Sequence, residues 1–233
     1  MFDIISNICL IGEKMSIETP SEPARARILQ TAAELFAEYG YAATSVRKIC
    51  DAAHVNVAMV NYYFHSKEAL HLAAFDHARE LAAASAPTVA EASAAADLPP
   101  AEQLRLAIEA LVSDMLRCGS ATLFSRLVAR ELLEPTAAIH KLAERNVRPQ
   151  HALFTGLVRA VVGPAMPAHA VQKCVFSVIG QAVFYARSRI VHELVAPEIT
   201  YDEAGIASIA RHVSQFSLAA LDGMRGQYAG VNA

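Results

Sequence analysis

The sequence predicts an all-α protein of about nine or ten helices. Three observations predict it. Apolar residues recur at helical spacing in almost every segment. No run alternates apolar and polar residues over six positions, so no strand is expected. The breaks between periodic runs carry Gly, Pro and small polar caps. With 54% hydrophobic and 18% charged residues among 233, the chain is expected to fold and to bury a sizeable core in one or two domains.

Residues 1–24 read as a poorly ordered tail. The apolar stretch 4–11 follows Asp3 and lacks a positive leader, so it does not read as an export signal, and Met15 is an alternative start. Residues 25–39 place Ile28, Ala32, Leu35, Phe36 and Tyr39 on one stripe, with Gly40 as the stop. Thr44 or Ser45 caps a short second helix that turns Val46, Ile49 and Cys50 inward. After a break at Ala53, His54 and Val55, Asn56 caps a third helix to Phe64, and Ser66 caps a fourth, with Glu68 in its first turn.

Residues 85–98, rich in Ala and Ser before Pro99 and Pro100, read as a linker or a broken helix. Leu104, Ile108, Leu111 and Met115 form the next stripe. Leu123, Leu127, Arg130 and Glu134 form another, ended by Pro135. Thr136 caps a helix that Pro149 interrupts and that Gly163 and Pro164 end. Residues 168–195 read as one long helix stopped by Pro197. Thr200 or Asp202 caps a last helix, with Thr200 and Glu203 at capping-box spacing. That helix carries Ile206, Ile209, Val213, Phe216 and Ala220 on one face.

Several chemistries are excluded. Only 10 glycines occur, none between Gly40 and Gly119, so no phosphate-cradling loop is present. Cys9, Cys50, Cys118 and Cys174 form no CxxC pair and read as buried thiols rather than two disulfides. His192 and Glu193 begin like a zincin motif, but Ala196 stands where the second ligand belongs, so no metal is expected. His140 and Glu144 are only a weak pair. No GxSxG elbow occurs and no cofactor is implied. The apolar run 174–184 contains Gln181 and falls short of the roughly 20 residues that a bilayer needs. No membrane partner is expected, and the location is expected to be cytoplasmic.

Three short helices with a tight break between the second and third make a helix-turn-helix. The residues Ala33-Glu34-Leu35-Phe36, Gly40-Tyr41, 43–49 (ATSVRKI), 52–56 (AAHVN) and 61–70 (NYYFHSKEAL) resemble the TetR family of bacterial regulators. Charge agrees. Residues 25–67 carry a net +2 within a chain of net −3, so the positive charge is concentrated there.

The resemblance implies that residues 25–71 are a DNA-binding domain whose third helix enters the major groove. Val57, Ala58 and Asn61 would face bases and Tyr62 the backbone, with Tyr63 beside it as a contact or a packing residue. Arg47 would reach a base or a phosphate. Thr44 and Ser45 would offer hydroxyls and amides to phosphate, Asn56 would stand at the helix start, and Lys67 would meet phosphate at the next helix N-terminus. Family members usually have Gly in the turn where this chain has His54, and a left-handed backbone there costs a non-glycine residue about 1 kcal/mol.

The resemblance also implies that residues 72–233 form a ligand-binding and dimerisation domain. The implied partners are double-stranded DNA carrying a palindromic operator, a small-molecule inducer of unknown identity, and a second copy in a homodimer. Val171, Val175, Val178 and Ala182, with Ile209, Val213, Phe216 and Ala220, are the candidate interface stripes, plain core being the alternative. Leu123-Phe124, Arg130-Glu131, Pro135-Thr136 and Arg148-Pro149 resemble the CecR-like subgroup, whose members regulate transporters and drug sensitivity. Arg126, Arg130, Glu131 and His151 are polar groups on apolar helices, candidates for an inducer site or for an internal ion pair. Phe124, Phe154, Phe176 and Tyr185 would line a pocket or pack as core. The function implied is a ligand-responsive regulator, usually a repressor, and not an enzyme. The alternatives are a small-molecule binding protein or enzyme with a vestigial helix-turn-helix, and an architectural DNA binder.

Overall fold

The computed structural model describes residues 22–83, 97–118 and 122–230. The expected N-terminal tail, apart from 22–24, and most of the expected linker lie outside the described residues. Among the described residues the chain is helical and contains no strand. The elements are α1 (Glu22–Ala43), α2 (Val46–Ala53), α3 (Val57–Phe64), α4 (Lys67–Ala83), α5 (Pro100–Cys118), α6 (Leu123–Leu133) and α7 (Ala138–Leu142). A π turn (Ala143–Val147) then leads into α8 (Arg148–Val162), followed by α9 (Ala168–Arg187), α10 (Arg189–Val195) and α11 (Glu203–Gly230).

The apolar side chains collect into two cores. The first lies among α5, α8, α9 and α11, where Leu104, Ile108, Phe154, Val175 and Val213 are fully shielded from water. A polar tie runs beside it: the Ser214 hydroxyl donates to the Glu109 carboxylate at 3.0 Å, and Glu109 holds Arg105 at 2.7 Å. The second core lies among α1 to α4 and is completed by Leu127 of α6 and by Ala138 and Leu142 of α7.

Local chemistry sets most boundaries as the sequence predicts. Gly40 breaks the α1 run with φ +83°, a conformation that costs glycine little. The amide of Lys48 donates to Ser45 Oγ, that of Met59 to Asn56 Oδ1 and that of Ala69 to Ser66 Oγ, each at 3.0–3.1 Å. Asp202 rather than Thr200 caps α11, accepting from Gly205 N at 2.8 Å, and Glu203 pairs with Arg117 instead of closing a capping box. A Cβ on Gly205 would lie 2.1 Å from the Thr200 carbonyl oxygen, so only glycine fits there. Cys50 and Cys174 are buried free thiols, and burial raises the pKa of both.

Four expectations are changed or refined. The predicted long helix 168–195 breaks at Ser188, where α9 and α10 meet at 74°. No Gly or Pro marks the break. His192 of α10 instead turns inward, its Nδ1 2.5 Å from the Tyr201 hydroxyl. Pro149 interrupts the α-helical pattern without breaking the helical path: it stands in the first turn of α8, after a π turn in which the Arg148 amide bonds the Ala143 carbonyl five residues back. Tyr39, placed on the inward stripe, is 42% exposed, and Leu29 and Ala33 are buried instead. The interface stripe Val171, Val175, Val178, Ala182, Ile209 and Val213 lies inside the first core. Its β-branched side chains fill the protomer, and only Phe216 and Ala220 face solvent.

His54 adopts the left-handed conformation expected of a turn glycine, at φ 55° and ψ 47°. His54→Gly is therefore expected to raise the unfolding free energy by about 1 kcal/mol, measured by urea denaturation. An unchanged or lower midpoint would show that the turn carries no such strain.

Candidate nucleic-acid interface

The helix-turn-helix is built by burying one face of each short helix. Ile49, Cys50 and Ala53 of α2 and Met59, Val60 and Phe64 of α3 enter the second core. This leaves the opposite faces outward. Ser45, Arg47, Val57, Ala58, Asn61 and Tyr62 are exposed, Tyr62 by 64%, while Asn56, Tyr63 and Lys67 are half-buried. Asn56 caps α3 with its side-chain carbonyl oxygen, which accepts from the Met59 amide.

Thr44 departs from the sequence expectation. It is fully buried, and its hydroxyl donates to the Gly40 carbonyl at 2.8 Å, with the Leu35 carbonyl at 3.2 Å. The bend at Gly40 leaves end carbonyls of α1 without helical partners, and Thr44 satisfies them. It secures the bend and does not face outward.

Two lysines are steadied by aromatic rings. Lys48 Nζ lies 3.1 Å from the centroid of Tyr39, and Lys67 Nζ 4.1 Å from that of Tyr41. An ammonium over a ring face is held by the ring quadrupole while keeping donors for another partner. Partial burial lowers the Lys67 pKa. Lys48 and the two tyrosines were missed as site residues. Their available signal was the end-of-helix position of Tyr39 and Tyr41 beside a basic α2.

Behind this surface sits His71, 3% exposed and enclosed by Phe36, Tyr41 and Phe75 at centroid distances of 4.6, 4.8 and 5.1 Å. Its Nδ1 has no hydrogen-bond partner. Burial, reinforced by the Lys67 charge, lowers its pKa to about 4, so the ring is neutral at pH 7.

The eight residues read as an inducer site do not converge. Arg130 donates to the Glu38 carbonyl at 2.7 Å and so ties α6 to the end of α1. Buried Glu131 accepts from the Thr136 amide and hydroxyl at 2.7 and 2.9 Å, closing the turn around Pro135. Phe124 packs on the second core, Arg126 is exposed and Phe154 lies in the first core. His151 and Phe176 do meet, at 5.1 Å between centroids, with His151 Nε2 buried and unpartnered. Tyr185 packs 5.3 Å from His192. Separate helices with separate structural tasks explain the dispersal.

Comparison with known proteins places these features. Residues 28–74 match the model of bacterial regulatory proteins of the tetR family, and residues 100–221 match that of the C-terminal domain of the HTH-type transcriptional dual regulator CecR. The CecR protein of Shigella flexneri is 32% identical over 157 residues, 61% of this chain and 66% of the relative, so the chain spans just under two thirds of it. An HTH-type transcriptional repressor of Mycobacterium tuberculosis is 42% identical over 65 residues, 28% of this chain and 35% of the relative. In fold, the chain resembles a TetR-like transcriptional regulator from Rhodococcus sp. RHA1, with TM-score 0.57 and 17% identity over 87% of this chain and 99% of that one. It also resembles PfmR of Thermus thermophilus, with TM-score 0.54 and 21% identity over 83% and 97%.

His71 sets a pH dependence. An unfolded chain takes up this proton near pH 6.5 and the folded one only near pH 4, so stability is fully present above pH 6.5 and is lost as pH falls between the two. The loss is expected to reach about 3 kcal/mol at most. Urea midpoints of the protein should fall across that window, and those of His71→Leu should fall less; equal slopes would exclude His71 as the source.

Proposed function

The chain belongs to the TetR family of bacterial regulatory proteins, with a C-terminal domain of the CecR type, and from that membership we propose that it is a ligand-responsive, DNA-binding transcriptional regulator acting in the cytoplasm as a repressor. One observation carries the DNA contact. The outward face of α3 exposes Val57, Ala58, Asn61 and Tyr62 while its inner face is locked into the core, and Arg47, Lys48 and Lys67 flank it. A helix presented this way fits the major groove, with flanking cations on phosphates. Asn61 has the donor and acceptor pair that reads adenine. Val57 and Ala58 leave room for close approach and contact with a thymine methyl. Ser45, with the N-terminus of α2 behind it, meets phosphate.

A second copy completes the unit. Phe176, Gly180, Val183 and Phe184 of α9 and Phe216 and Ala220 of α11 form exposed apolar stripes on two helices that pack together, with Phe176, Phe184 and Phe216 each about 60% exposed. Such a patch is unusual on a monomer. Pairing it across a two-fold axis sets two α3 helices over the halves of a palindromic operator. An inducer that binds better to the conformation with misplaced heads releases the DNA.

The test is fluorescence anisotropy on the upstream intergenic DNA of its own gene, against scrambled competitor at physiological salt. Binding that survives competitor is expected. Asn61→Ala should weaken operator binding by about 1–3 kcal/mol and leave random DNA unaffected, while Lys67→Ala should weaken both and reduce the salt slope by about one. Equal effects of the two substitutions on both DNAs would overturn their division into base and phosphate contacts. Phe216→Glu should leave the protomer folded and convert a dimer into a monomer in light scattering; a persisting dimer would place the interface elsewhere.

A further inference from the structure

We propose that the groove between α4 and the α7–π–α8 run binds a small organic monoanion by taking Arg145 from Asp76, and thereby loosens the DNA-reading head. The release rests on the regulator reading above; the binding does not. The groove has a volume of about 230 Å³. That is below the usual range for drug-sized ligands and holds roughly ten non-hydrogen atoms. Its floor is apolar, with Leu72 and Phe75 of α4 facing Leu142 of α7. Its rim carries Asp76, Lys141 and Arg145, two cations and one carboxylate, for a net charge of +1.

The rim is built to exchange partners. Arg145 and Asp76 form an ion pair across the groove, with 57% and 36% of their side chains exposed. A pair so wet is worth at most about 1 kcal/mol, so it yields to a better-placed carboxylate. A ligand whose apolar body rests on Leu72, Phe75 and Leu142 presents its carboxylate to the Arg145 fork, which grips carboxylates in two parallel hydrogen bonds. Lys141 supplies a second charge. The position of Arg145 follows from sequence. Pro149 has no N–H for the Arg145 carbonyl, the helix widens into the π turn, and Arg145 lies on that turn beside α4. Such turns are frequent at functional sites.

Displacing Asp76 also has a structural consequence. Asp76 stands on the helix that carries Lys67 and His71. Its bond to Arg145 joins the Arg130 bond to Glu38 in tying the head to the rest of the chain. A ligand wedged between α4 and α7 removes one tie and spreads the helices that complete the head core.

The experiment titrates the full chain with benzoate, and with benzamide as its neutral isostere, by isothermal calorimetry, and then repeats the anisotropy assay with benzoate present. Benzoate is expected to bind with submillimolar affinity and benzamide at least tenfold more weakly. Arg145→Met should weaken benzoate about tenfold. Asp76→Asn, which frees Arg145, should tighten it severalfold. A merely structural ion pair predicts that both substitutions act alike, and that result overturns the site, as does equal binding of benzamide or no benzoate heat up to about 10 mM. The expected pattern with unchanged anisotropy overturns the release and leaves the regulator reading intact. The expected pattern in a protein that shows no specific DNA binding overturns the regulator reading and leaves the anion site.

Discussion

The helix-turn-helix head does not close its own core, and the rest of the molecule is arranged around that deficit. The helices α1 to α3 form too small a unit to enclose Ile28, Phe36, Ile49 and Val60 unaided. Small helical units rarely bury enough surface to stand alone. Leu70, Ala74 and Phe75 of α4 cover one side, and Leu127, Ala138 and Leu142 of α6 and α7 cover another. The head is thus packed onto the body through shared apolar side chains. Its orientation is a property of that packing, and a change that moves α6 or α7 against α4 must be felt at α3.

The polar groups at this joint reinforce the same arrangement. Arg130 reaches an end carbonyl of α1, Glu131 closes the turn that delivers α7, and Thr44 satisfies the bend at Gly40. Glu134 stands next to that bend, where a Cβ on Gly40 would lie 3.2 Å from its carboxylate. Buried Thr44 and Glu131 satisfy groups that burial would otherwise leave unpaired, which costs about 1–3 kcal/mol. Arg130 and Glu131, candidates in sequence for an inducer site or an internal tie, act here as structural ties.

The outward and inward faces of the head were legible in sequence with few errors. The caps at Ser45, Asn56 and Ser66, the stop at Gly40 and the left-handed His54 follow from local rules that act within four residues. Because α2 and α3 are short, fixing their caps also fixes which residues point away from the core, and so Val57, Ala58, Asn61 and Tyr62 emerge where expected. The position of Tyr39 and Tyr41 beside a basic α2 hints at the aromatic seats of Lys48 and Lys67 but does not place the rings. That placement depends on where the end of α1 lies relative to α2 and α4, a distance that no local pattern encodes.

The body was harder for a related reason. Helices α9 and α11 each carry apolar residues on more than one face, and periodicity cannot say which face meets the protomer core and which remains outside. Of the candidate interface stripe, whose alternative is plain core, the β-branched residues are core and Phe216 is exposed, beside Phe176 and Phe184. The break at Ser188 leaves no mark in the sequence because nothing local forbids the helix from continuing; the inward turn of His192 to Tyr201 accompanies it. The sequence by itself thus determined the all-α class, most helix ends and the helix-turn-helix, since hydrogen-bond satisfaction and apolar periodicity are short-range. Only the tertiary structure decided which stripes are buried, where the long helix bends and that the head core is completed by α6 and α7. Those outcomes depend on contacts between residues far apart in the chain, each chosen against competing faces of similar hydrophobicity.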